Sequence, residues 1–273
     1  MVQSAAPGRR FFDRSGLPLV VLGAIVFCFL AAPIVGLAFN LSGPNLLTTY
    51  RDPQTRAALG VSLSTASVAT AIVGILGIPL AYFLARFRFR GRTLVNILVF
   101  LPLVLPPVSA GILLIMLYGP YGTIGRLFDP HGIDFVDTSS GIVLAQIFVS
   151  APYVIVTARS AFERIDPEYE EAAASMGAGI WMTFRHVALP MARGGILAGL
   201  TLGWMRSLGE FGATVILAYH PYSLPVLNYV NLNSSGLATA LPLALLAFVI
   251  AGGVLVVLFF LEQVDWGTGL SRP

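Results

Sequence analysis

Two ionisable side chains stand inside an otherwise apolar run of this chain, Arg206 and Glu210, four residues apart. At helical spacing they share a face with Gly203, Ser207 and Thr214, and their separation permits an ion pair along the helix. Ionisable groups at membrane depth are costly and normally face the bundle interior or water. Two readings stay open at this point. The pair can neutralise itself and only pin helix packing. Or the face can line a passage, with Arg206 offering a positive field to an anion and Glu210 holding Arg206 in place. A partly neutralised cation suits passage, because a strongly binding one would trap its ion. The candidate pathway residues are therefore Arg206, Ser207, Glu210 and Thr214.

Little else in the sequence can do chemistry. All 16 basic residues are arginine. The absence of lysine excludes the P-loop lysine of ATPases and Schiff-base catalysis. His131, His186 and His220 fall in separate segments outside the apolar runs. Cys28 is the single cysteine and can form neither an internal disulfide nor a zinc cluster. There is no His-Glu-x-x-His, no Gly-x-Ser-x-Gly and no cysteine pair. No catalytic residue, no metal site and no cofactor bound by this chain is expected. Whatever energy the protein uses must come from a partner.

The elements that position Arg206 and Glu210 follow from composition. Of the 273 residues, 56% are hydrophobic and 11% charged, against about 25% charged in a soluble domain. Mean hydropathy is +0.84. A core of this size cannot hide so much apolar surface, so the remainder faces lipid. Uncharged runs cover 17–39, 58–85, 94–118, 141–158 and 237–261, and 194–218 is apolar apart from Arg206 and Glu210. The runs are continuous rather than alternating, which indicates helices and not barrel strands. With both termini inside, twelve of the sixteen arginines lie on the cytoplasmic side, among them Arg9, Arg10, Arg14, Arg86, Arg88, Arg90, Arg92 and Arg272. Arg51, Arg56 and Arg126 lie opposite. The first run, at 23 residues, is too long for the core of a cleaved signal peptide. The net charge of +3 comes from scattered arginines and gives no nucleic-acid surface. Gly60, Ser64 and Ser67 share a face of the second run and are expected to pack against another helix. Pro102, Pro106 and Pro107 must bend or break the third.

The segment 163–193 is polar and patterned. Asp166 can cap a helix, Pro167 fits its first position, and Glu168, Glu170 and Glu171 suit its positive end. Tyr169, Ala172, Ala173 and Met176 fall on one apolar face. Gly177 is placed to end that helix. A second short helix over 180–186 is expected to stop before Pro190. Together they make a compact elbow.

Glu171-Ala172-Ala173, Gly177, Val187 and Leu189-Pro190 stand at the spacing Glu-Ala-Ala-x3-Gly-x9-Ile-x-Leu-Pro. This resembles the loop of binding-protein-dependent ABC importer permeases, with Val187 for Ile as its one departure. The string from Arg206 to Ala213 looks like the fifth-helix signature of oxyanion permeases, and the stretch from Ala218 to Leu237 is similar to the molybdate and tungstate branch.

The resemblance implies an all-α polytopic fold of six transmembrane helices, N-in and C-in, in a prokaryotic cytoplasmic membrane. It implies tails at 1–16 and 263–273 and one permease domain at 17–262 with a coupling loop at 163–190. Asp166, Glu170, Glu171, Ala172, Ala173, Gly177, Leu189 and Pro190 would then couple to an ATPase subunit, which binds ATP and magnesium. A second permease copy would complete a homodimer. A periplasmic or lipid-anchored binding protein would deliver the oxyanion, since the external segments 40–57 and 119–140 are too small to capture it alone. Sulfate or thiosulfate is the competing substrate. An ATP-independent anion transporter or channel is the competing class, and an embedded enzyme the third.

Overall fold

The computed structural model describes residues 17–39 and 43–267, and every regular element among them is helical. The expected N-terminal tail at 1–16 lies outside the described residues, as does the expected C-terminal tail from 268 onward. So do Arg9, Arg10, Arg14 and Arg272.

Helix α1 spans Leu17–Phe39. It is apolar all round, and none of its crossing stretch is buried. Such a helix needs lipid or another chain around it. A short α2, Gly43–Arg51, leads into α3, Pro53–Arg86. Asp52 caps α3 by accepting the Thr55 N–H at 2.8 Å, and Pro53 occupies the first turn, where no N–H is required.

The expected third span is two helices, α4, Arg92–Val104, and α5, Pro107–Tyr118, bent by 120°. Pro102 sits inside α4 without ending it. The break falls at Leu105 and Pro106, each followed by a proline and each extended, with ψ 132° and 134°. The next loop carries a short α6, Gly125–Phe128, and a 3₁₀ turn, Asp129–His131. Helix α7, Ser139–Glu163, starts at Thr138, whose side chain accepts the Gly141 N–H.

After α7 come α8, Pro167–Ser175, and α9, Ile180–Thr183. The second elbow helix does not stop before Pro190, as the sequence led us to expect. A π turn, Phe184–Ala188, carries the helical path into α10, Leu189–Met191. The Leu189 N–H reaches back five residues to the Phe184 carbonyl. That wide turn accommodates the Pro190 ring and its missing N–H, which would otherwise break an α-ladder. A 78° bend then leads to α11, Arg193–Leu208. The short α12, Thr214–Leu217, follows a break, and α13, Leu224–Ser235, and α14, Leu237–Gly267, complete the order. Among the described residues, four helices are long and apolar enough to cross a membrane, or up to six spans if each bent pair counts as one.

The centre is α3, α7 and α11, which pack on one another. The close approach of α11 to α7 depends on glycines four apart. A Cβ at Gly195 would stand 2.4 Å from that of Ala161, and one at Gly203 2.6 Å from a Val154 methyl. Small residues give helices in lipid this proximity. Of the small residues expected to serve α3, Ser67 meets another helix, accepting the Trp204 Nε1–H of α11 at 3.2 Å. Gly60, Ser64 and Ser67 are exposed, while Ser62, Thr65, Ala66, Ala69 and Thr70 are buried. Both faces of α3 are rich in small side chains, and the buried one also carries Val73, which fills the core.

The start of α5, just past the α4–α5 break, lies against the segment that follows α11. A Cβ at Gly212 would stand 2.4 Å from the Cβ of Pro107, and one at Gly111 2.7 Å from that of Ile216. Irregular backbone thus packs inside the bundle, the setting in which it is tolerated in a membrane.

Candidate functional site

Residues 163–193 fold into an elbow of short helices, fixed by local bonds at both ends of α8. The Asp166 carboxylate accepts the Glu168 N–H at 3.0 Å. At the other end Gly177 adopts φ +87°, and the Gly177 and Ala178 N–H groups donate to Ala174 and Ala173 at 2.9 and 3.0 Å. This pair of bonds is a Schellman stop, which requires the left-handed residue that glycine supplies.

The elbow's residues divide by direction. Ala173 is buried beneath α8, while Glu171, Ala172 and Gly177 are exposed. Leu189 packs on the central core, and Pro190 is exposed. Glu170 points inward. Its carboxylate accepts the Tyr82 hydroxyl at 2.9 Å and the Arg86 Nε–H at 2.8 Å. Arg86 also donates to the Ile165 carbonyl at 3.1 Å. Below it, Tyr82 packs against Phe162 and Phe184 with ring centroids 5.3 and 5.0 Å apart. Glu170 therefore bolts the elbow to α3. The Tyr82 and Arg86 anchors were missed in the sequence because they stand more than eighty positions from Glu170.

The outer edge of the elbow is apolar and uncovered. Met176 is 83% exposed and Trp181 66%, and Tyr169, Ile180 and Met182 are exposed with them. The expected apolar face of Tyr169, Ala172 and Met176 exists, and apart from Ala173 it looks away from the chain's own bundle. Large side chains grouped this way on a polar loop mark a surface that another protein covers.

The second site lies at the end of α11. The expected single face from Gly203 to Thr214 is corrected, because the helix stops at Leu208. Arg206 and Ser207 belong to α11, Glu210 to the break, and Thr214 to the start of α12. Glu210 is 1% exposed, and its two oxygens do different work. Oε2 pairs with Arg206 Nη1 at 2.5 Å, and Oε1 accepts the Ala213 N–H at 2.7 Å. The carboxylate both neutralises the arginine and closes the break. Gln146 of α7, also missed in the sequence, donates from Nε2 to the Ser207 carbonyl at 3.1 Å. The same carbonyl accepts the Glu210 N–H at 3.1 Å, so Gln146 ties α7 to the turn that ends α11. A buried glutamine in the middle of an apolar run was the available signal. Arg206 itself keeps 27% side-chain exposure, so its remaining donors are not sealed in.

Fold and sites together define a polytopic membrane permease subunit: a bundle with broken helices, an ion pair at one break, and an elbow with an exposed apolar edge. Residues 77–265 match the family described as binding-protein-dependent transport system inner membrane component, and the chain belongs to that family. It is 41% identical over 251 residues to a probable molybdenum ABC transporter permease protein of Haloferax volcanii, covering 92% of this chain and 91% of that one. It is 38% identical over 190 residues to the molybdenum transport system permease protein of Mycobacterium tuberculosis, covering 70% and 72%. It is also 37% identical over 203 residues to the sulfate transport system permease protein of Escherichia coli, covering 74% and 73%. Its fold is similar to that of a bacterial ABC transporter involved in the import of the acidic polysaccharide alginate, with TM-score 0.72, 21% identity, and coverage of 93% of this chain and 96% of that chain.

Proposed function

We propose that this chain is the permease subunit of an ATP-driven importer that carries molybdate or tungstate across the cytoplasmic membrane. The observation that carries this reading is the likeness to molybdenum permeases across nine-tenths of the chain, joined to an elbow whose apolar edge its own bundle leaves open. In this reading the elbow side faces the cytoplasm, both termini are inside, and each bent pair counts as one crossing, giving six. Residues 17–262 form one permease domain, with short tails at 1–16 and 263–273.

Two copies pair as a homodimer. An ATPase subunit, which binds ATP and magnesium, covers each elbow through Tyr169, Glu171, Ala172, Met176, Gly177 and Trp181. A periplasmic or lipid-anchored binding protein docks on the opposite face. Closure of the ATPase dimer moves the elbows, and α3 feels that motion through Glu170 and Arg86. The contact between α5 and the segment after α11 then shifts between two packings, a population change driven by different contacts in each state. Arg206, steadied by Glu210, gives the anion a positive field beside Ser207 and Thr214.

The sulfate permease likeness makes sulfate or thiosulfate the second reading. Uptake of labelled molybdate by vesicles holding the assembled transporter separates the two. Uptake that tungstate suppresses and equimolar sulfate does not supports the first. Suppression by sulfate at equal concentration supports the second.

A further inference from the structure

The turn joining α3 to α4 carries arginines and phenylalanines alternately from Arg86 to Arg90, followed by Gly91 and Arg92. Phe87, at its start, is extended, with φ −104° and ψ 136°. Phe87 and Phe89 both close on Phe83, each with ring centroids 5.0 Å away. Arg88, between them, is exposed, and Arg90 is exposed at the turn. Their neighbours are engaged. Arg86 holds Glu170, and Arg92 donates to the Leu84 carbonyl at 2.7 Å. Neither Arg88 nor Arg90 takes part in a salt bridge among the described residues.

Directly after this turn, α4 presents an uncovered apolar stripe. Leu94, Ile97, Leu98 and Leu101 are 60, 55, 56 and 40% exposed. They stand at helical spacing on one face, about 10 Å long. The opposite edge is packed: Val95 and Val99 lie on the central core, and the Asn96 side chain accepts from Arg159 at 2.9 Å. Two uncompensated cations therefore stand at the head of an apolar strip.

The geometry points to a binding site for an anionic phospholipid at the α3–α4 turn, its headgroup on Arg88 and Arg90 and its acyl chain along Leu94 to Leu101. A free anion would meet the arginines and leave the stripe bare. An acidic protein surface would do the same. A lipid with a negative headgroup satisfies both halves, because juxtamembrane arginines attract anionic headgroups at the membrane surface. The site depends on α4 lying in the bilayer and not on which anion the protein carries.

The test uses the assembled transporter, purified in detergent and given equal amounts of phosphatidylglycerol and phosphatidylcholine. Retained lipid is counted by native mass spectrometry. Wild type is expected to retain phosphatidylglycerol in preference. Arg88→Gln with Arg90→Gln lowers that retention on the order of tenfold, from two arginines. Arg88→Lys with Arg90→Lys retains it, and Leu94→Ser with Leu98→Ser weakens retention of both lipids. Inorganic phosphate in excess leaves the lipid in place. Retention unchanged in the glutamine pair overturns the site. So does displacement by phosphate, which assigns the arginines to a free anion. Loss of the ATPase subunit from the glutamine pair with lipid retention intact also overturns it, in favour of a protein partner. Lipid counting gives its answer even if the transporter proves to carry no molybdate.

Discussion

Glu170 of the elbow and Arg86 of α3, 84 residues apart, are joined by a 2.8 Å bond between Oε1 and Nε, with both side chains largely shielded from solvent. The Tyr82 hydroxyl completes the clamp. In the proposed mechanism this is the link by which movement of the elbow reaches the bundle. Glu170→Gln should cost about 2 kcal/mol of local stability, the usual scale for hydrogen bonds to a charged group. Hydrogen exchange across 167–176 is expected to rise, and transport per ATP to fall. Replacing the pair together by Arg86→Met and Glu170→Leu should restore stability, because no unpaired charge remains. Recovery of stability without recovery of coupling identifies the clamp as the transmission point.

Gly177 ends α8 at φ +87°. A β-branched residue there is strained by roughly 1–2 kcal/mol, although open space surrounds the position. Gly177→Val is expected to insert normally and to lose most transport while the ATPase subunit still turns over. Gly177→Asn, which tolerates this conformation better, should keep more. Measuring anion moved per ATP hydrolysed checks both.

Arg206 and Glu210 should behave differently despite being partners. Glu210 is buried and uses both oxygens, one on Arg206 and one on the backbone of the break. Glu210→Gln leaves the guanidinium uncompensated and should destabilise the assembled protein, read as a lower melting temperature. Arg206→Gln removes the more exposed member and should lower anion transport more than it lowers stability. The opposite ranking would give the pair a packing role alone.

The glycine stripe on α11 is a stability prediction. Gly203→Leu forces a side chain into a space where a Cβ alone would stand 2.6 Å from Val154. Overpacking of this kind costs roughly 1–3 kcal/mol, and separating α11 from α7 costs the contacts around it. Low yield of folded protein is expected, read by monodispersity in detergent. Gly60→Leu, on the exposed face of α3, should be tolerated by the folded chain.

What was legible in the sequence was local. Asp166 and Gly177 act on bonds within four residues of themselves, so their types and spacing specified α8 and its stop. The break at Pro106 and Pro107 was legible for the same reason, since proline restricts the residue before it. What depends on distant partners was not. Glu170 reads as a first-turn acid on a surface helix, and only the fold brings Tyr82 and Arg86 to it. The end of α11 at Leu208 carries no proline, and Gly209 and Gly212 are its only local stop signals in a run that stays apolar on both sides of Glu210. Its cause is tertiary: the Glu210 cap on Ala213 and the contact of Gly212 with Pro107. The choice between two small-residue faces on α3 was likewise made by the shapes of α7 and α11. The glycine spacing at 195, 199 and 203 was there to be read and gave the true contact.

The measurement that tests the central claim most directly is solute accumulation in vesicles holding the permease alone, or with its ATPase subunit and binding protein, with and without ATP at the elbow side. The account predicts molybdate accumulation against a gradient only in the complete assembly with ATP. Accumulation by the permease alone without nucleotide would contradict it and make this chain a transporter in its own right.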